Sequence, residues 1–259
     1  MKKLALVCVV AFAISTTAIA GDIAISTQGG WMGQGHADNE TQEIANNVTG
    51  ASVELFASDQ HDALADWVVA HTGNGQSDLL VLFGVLPDSI YPAGNAQPDG
   101  SLAELFLDDG NIIVNTGDYI FYVGSAGFNN PEGLMNMSDT SASMWGDDAT
   151  TFVPTAEGHA VAPSLTAWPS NRPLFPAQFE GTDWEVELIL AQNSDGSQVH
   201  PAILHNTVTD GRLGVFFQRS DDSQPRGEVI SEWINNWYLT GGVIPNTPAE
   251  NPDPADGAA

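Results

Sequence analysis

Cysteine and lysine are almost missing from this 259-residue chain: Cys8 is the one cysteine, and the lysines are Lys2 and Lys3. Past residue 20 the strong cations reduce to Arg172, Arg212, Arg219 and Arg226, set against 33 acidic residues. Without cysteine, that stretch can hold no disulfide, no thiolate metal site and no cysteine nucleophile. With so few cations it cannot neutralise phosphates, which excludes nucleic acid as a partner. An anionic membrane surface is excluded on the same ground. Apolar material is ample, at 42% of residues with 15% charged, so the chain can bury a core and is no disordered polyanion. A formal net charge of −27 implies self-repulsion that salt screens, which suits a saline or extracellular setting.

The first twenty residues are expected to be a secretory signal peptide. Met1-Lys2-Lys3 is a basic start, Leu4 to Ile14 is uncharged and apolar, and Ala18-Ile19-Ala20 has the small-x-small form of a cleavage site. Ser15-Thr16-Thr17 cuts the apolar run short of a membrane span. Val7 stands before Cys8 where a lipoprotein signal wants a small residue. The protein is therefore expected to be secreted or periplasmic, with residues 21–241 as one domain and 242–259 as a disordered, acidic, Pro-rich tail.

Short apolar runs alternate with helical patterns up to about Val123. Ile23 to Ser26, Val53 to Ala57, Leu79 to Val85 and Asn111 to Asn115 read as strands. Asn39 with Gln42 suggests a helix start, Ser58 or Asp59 another, and Ser101 with Glu104 a capping box. Strand-helix-strand repetition predicts an α/β fold with a doubly wound, mostly parallel, flavodoxin-like sheet. Residues 125–182 lack any long period and are expected to be an irregular insertion or lid. Trp184 to Ala191 reads as a strand with Trp184, Val186, Leu188 and Leu190 on one face. Thr209-Asp210-Gly211 marks a late β-hairpin. Ile230, Trp233, Ile234 and Trp237 form the core stripe of a closing helix.

In an open parallel sheet, ligands bind beyond the carboxyl ends of the strands. The loops there carry Trp31 and His36 after strand one, Asp88 after strand three, and Asp118 and Tyr119 after strand four. These five are the candidate ligand-binding residues, with Trp145 as a further flat face. His36 is a general base or a solvated loop residue; Asp118 is a functional carboxylate or a turn former. Gly33-Gln34-Gly35 fails as a dinucleotide fingerprint because Asp38 occupies the third glycine position. Asp147-Asp148, Asp195-Gly196 and Asp221-Asp222 lack calcium-loop spacing, and Val123 replaces the first glycine of a nucleophile elbow at Ser125. No metal or cofactor is expected.

The block Asp78-Leu79-Leu80-Val81-Leu82-Phe83-Gly84, then Leu105-Phe106, then Gly110-Asn111-Ile112-Ile113-Val114, resembles the class I glutamine amidotransferase-like fold, in its divergent ThuA-like branch. The hairpin from Pro201 to Gly214 and the closing helix are similar to that branch too. The resemblance implies the fold and the place of its crevice. Where the amidotransferases carry G-x-C-x-G, this chain has Asn115-Thr116-Gly117-Asp118-Tyr119, and no His-x-Glu dyad follows the last strands. Glutaminase chemistry is absent on both counts.

The function expected is binding of a polar small molecule, such as a sugar, by aromatic faces and hydrogen-bonding groups at that edge. Two other classes stay open: a metal-independent hydrolase or isomerase using Asp118 and His36, and an interaction module of a secreted assembly.

Overall fold

The computed structural model describes residues 20–95, 100–130, 132–144, 150–170, 172–221 and 223–245. Residues 1–19, within the expected signal peptide, Trp145, Asp147, Asp148, Asp222 and residues 246–259 of the expected 242–259 tail lie outside the described residues. Among the described residues ten strands form: β1 (Ala20–Ser26), β2 (Val53–Phe56), β3 (Ser77–Leu82), β4 (Ile112–Thr116), β5 (Thr150–Pro154), β6 (Trp168–Ser170), β7 (Trp184–Ile189), β8 (Ala191–Gln192), β9 (Ala202–Asn206) and β10 (Arg212–Phe216). The helices are α1 (Gln34–Asn47), α2 (His61–His71), α3 (Leu102–Asp108), α4 (Glu132–Met137), α5 (Ala156–Val161) and α6 (Arg226–Trp233), which continues as one π-helical turn over Ile234–Tyr238.

Seven strands make one sheet in the order β2-β1-β3-β4-β10-β9-β7. The pairs from β2 to β10 are parallel; β9 runs antiparallel to both β10 and β7. β3 is buried along Asp78 to Leu82 because both sheet faces are covered. Alternation sorts its side chains: Leu79 and Val81 pack with α1 and α6, Leu80 and Leu82 with α2 and α3. No helix among the described residues is long and apolar enough to cross a membrane.

Four expectations need correction. α1 starts at Gln34, so His36 and Asp38 are helical and Asn39 caps nothing; Gly33 (φ 83°) is the cap position. The side chain of Gln34 holds that start instead, accepting from the Gly29 N–H (3.1 Å) and donating to the Thr27 carbonyl (2.6 Å). α2 follows Gln60 rather than a Ser or Asp cap, and Gln60 makes no capping bond from its side chain. A register shift between Val186 and Leu188 breaks the single face expected of β7. Trp184 and Val186 pack on one side of the sheet, Leu188 and Leu190 on the other. Finally, residues 125–182 are not structureless. They hold α4, α5 and two strands of a small sheet ordered β6-β5-β8. Those strands are three to five residues long, too short for periodicity to reveal.

Ser101 does form its capping box with Glu104, and Leu64, Trp67 and Val68 of α2 are buried as their spacing predicts.

Candidate functional site

Turns after β1, β3, β4 and β10 meet above the carboxyl ends of these strands. The β1 turn is pressed down by the Gly30 N–H donating to the Phe83 carbonyl (3.0 Å). A Cβ on Gly30 would lie 3.2 Å from the Gly84 carbonyl oxygen, tight enough that the β3 turn would have to give by a few tenths of an ångström. Trp31 is thereby carried over the β4 turn, its ring 5.4 Å from that of Tyr119, while 58% of the residue stays exposed. Met32 drops into the core against Gly117, whose φ of 104° suits glycine.

Asp118 is half-buried, and its Oδ1 takes two hydrogen bonds. One comes from the Tyr119 N–H (3.1 Å) and the other from Nη1 of Arg172 (2.7 Å). The Arg172 guanidinium also lies 3.9 Å above the Tyr119 ring centroid. Arg172 reaches this edge from the segment after β6, and its carbonyl accepts from the Gln218 side chain (2.8 Å). Burial pushes the Asp118 carboxyl above its usual range, opposed by Arg172, the Tyr119 N–H and the more distant Arg226 and Arg219. Burial wins even beside a guanidinium, since only 13% of the side chain meets solvent.

The loop after β10 completes the edge. Arg226, wholly buried at the start of α6, donates to the carbonyls of Phe217 (3.2 Å), Arg219 (2.7 Å) and Asp221 (2.7 Å). These bonds bend the loop so that Arg219 meets Asp221 through Nε (2.8 Å) and Nη2 (2.5 Å). Asp118, Arg172, Gln218, Arg219, Ser220 and Asp221 line a polar cleft of about 70 Å³. Tyr119 (φ 56°), Phe121 (φ 61°) and Phe217 (φ 38°) hold left-handed backbone along this edge. Each costs about 1–3 kcal/mol, and such strain gathers at ligand clamps and active sites. Beneath them Ser26 Oγ, Gln28 Oε1, Asn115 Nδ2 and Thr116 Oγ1 are buried without a hydrogen-bond partner among the described residues. A larger hollow, about 150 Å³, lies at the opposite edge against Ser77, Arg212 and Trp237. It holds one left-handed residue, Asp210 (φ 65°), and lacks the meeting of four strand-end turns, so the smaller cleft is the better candidate.

Of the residues expected at the site, Trp31, Asp118 and Tyr119 come together. Asp88 is exposed at the same edge, but its carboxylate accepts from the Ala93 N–H (3.0 Å) and its own N–H donates to Ser125 Oγ (2.7 Å), which ties a turn. His36 lies on α1, one turn before Glu40, and is not among the residues that line the cleft. The three arginines were missed because 54 residues separate Arg172 from Asp118. Their rarity was the available signal: three of the chain's four arginines stand at this edge. Ser170 and His200 also meet, Oγ to Nδ1 at 2.9 Å, yet both are wholly buried and so pin β6 to the start of β9 rather than react. Trp168 Nε1 donates to the His200 carbonyl beside them (3.2 Å).

No family model matches the chain, and no curated protein is similar to it. Among solved structures, the fold is similar to a protein described as ThuA-like from Bacteroides uniformis, at 12% identity and a TM-score of 0.46, over 88% of this chain and 95% of that one.

Proposed function

We propose that this chain is a ThuA-like α/β domain without amidotransferase chemistry that binds a carbohydrate at the carboxyl edge of β4 and β10. In this reading the protein acts outside the cytoplasm, after loss of residues 1–20. One arrangement carries the proposal: exposed Trp31 beside Tyr119, with Arg172 stacked on that ring and bonded to Asp118. Trp31 offers a flat apolar face to a sugar ring. Asp118 Oδ2, which takes no hydrogen bond among the described residues, offers an acceptor for hydroxyl groups. Catalysis by Asp118 with His36 draws no such support, since His36 lies on α1 and is not among the residues that line the cleft.

Calorimetric titration with a panel of neutral and acidic mono- and disaccharides tests this. Asp118→Asn keeps the shape and removes the charge, so the fold should survive while affinity falls about tenfold or more, the worth of a charge-assisted hydrogen bond. Trp31→Ala should cost a similar factor. Wild-type affinity in both variants would remove the site from this edge, and no binding across the panel would remove the carbohydrate.

A further inference from the structure

We propose that Asp22, His71 and Asp78 form a divalent-cation site of the zinc class at the amino edge of the sheet, away from the ligand cleft and independent of it. His71 ends α2, Asp22 lies in β1 and Asp78 in β3; one ligand atom from each falls within 4.8 Å of the other two. Nδ1 of His71 sits 2.7 Å from the Trp67 carbonyl oxygen, which can only accept, so Nδ1 carries the proton. In a neutral ring Nε2 is then a bare lone pair. It faces Asp22 Oδ2 at 3.3 Å, so two acceptors confront each other and a cation belongs between them. A histidine whose far nitrogen is fixed by a backbone carbonyl is the usual metal-ligating arrangement. Stacking on Trp67, ring centroids 4.0 Å apart, fixes the ring plane as well.

The distance also fits. Zinc bonds to nitrogen and oxygen of about 2.0–2.2 Å put neighbouring tetrahedral ligands about 3.4 Å apart. Nε2 and Oδ2 already stand at that spacing. Asp78 is wholly buried, and each oxygen accepts one bond, from the Asp22 N–H (2.6 Å) and the Asn74 side chain (2.7 Å), leaving further lone pairs. No arginine supplies its counter-charge: Arg172, Arg212 and Arg219 pair with Asp118, Glu187 and Asp221, and Arg226 binds carbonyls. Nearby, the Tyr238 phenol is pushed up by burial and then by the Asp78 charge, a sign of negative potential at this edge. One nitrogen with two carboxylates suits zinc better than calcium or magnesium, which take oxygen ligands. The sequence hid the site because Asp22 stands 49 residues from His71 and 56 from Asp78.

Titrating the EDTA-stripped protein with zinc chloride, by calorimetry and by thermal unfolding, tests this. One equivalent should bind, and at about a hundredfold excess over Kd the midpoint should rise by about 5–10 °C. Asp22→Asn, at an exposed position, and His71→Gln should each weaken binding about tenfold or more and remove the shift. A wild-type midpoint indifferent to zinc would show that a proton alone lies between Nε2 and Oδ2, and would overturn the proposal. Equal one-to-one binding by wild type and both variants would place the ion among other acids and overturn it as well.

Discussion

Lowering the pH from 7 to 4 should erase about 3 kcal/mol of the stability that depends on His200. Its ring is wholly buried, and burial, with Arg226 adding to it, pushes the imidazole down from 6.5 to about 3. Below pH 6.5 the unfolded chain takes up a proton that the folded chain refuses until about pH 3. The stabilisation is therefore complete above 6.5 and is lost progressively as the pH falls through that window, at about 1.4 kcal/mol per unit. Glu40, Glu43 and Asp118 work the other way, since burial raises all three and the folded state binds their protons first. Relief of the overall negative charge opposes the loss too. The measurement must thus be a difference: urea unfolding of wild type and His200→Gln at pH 7, 6, 5 and 4. The two stabilities should converge on acidification by about 3 kcal/mol. Parallel curves would mean that His200 is charged in the folded protein.

Arg226→Met should cost about 3–5 kcal/mol, the scale for breaking a buried charged network. Three carbonyls of the β10 loop each lose one donor, Phe217 keeping only the Arg219 N–H (2.8 Å), and methionine fills the volume without replacing a single bond. Arg226→Lys should recover only part of this, because one ammonium cannot span Phe217, Arg219 and Asp221 as the planar fork does. The loop would release Arg219 and Gln218 from the cleft, so ligand affinity should fall with stability. Equilibrium urea unfolding gives the number, and a loss below about 1 kcal/mol would make the arginine a bystander.

The parallel half of the fold was legible because its signals are local. The apolar run at Leu79–Leu82 and the Ser101–Glu104 box each fit in one window of sequence. The start of α1 was not, since Gly33-Gln34-Gly35 reads as loop and the holding bonds come from Gln34, a residue type seldom used as a cap. The turn of β7 from one face to the other was hidden too, because a bulge is set by the partner strand β9 and not by β7's own alternation. At the site, Trp31, Asp118 and Tyr119 could be placed because each stands within five residues of the end of its strand. Arg172, Arg219 and Arg226 arrive from later segments, and only packing brings them there.

The way the arginines are held bears on the protein's survival among hydrolases. An endoprotease that cuts after basic residues finds three sites beyond Lys3, after Arg212, Arg219 and Arg226, because Pro173 blocks the bond after Arg172. Side-chain exposure is 11% for Arg172, 17% for Arg212 and 27% for Arg219, and Arg226 is fully enclosed. Each is also fastened by ion pairs or carbonyls that would have to break before the bond could enter a protease cleft. Trypsin-like digestion of the native protein must wait for local or global opening, so its rate follows the folding equilibrium rather than surface access. With no lysine past residue 3, aldehydes and reducing sugars likewise meet no side-chain amine on the folded domain.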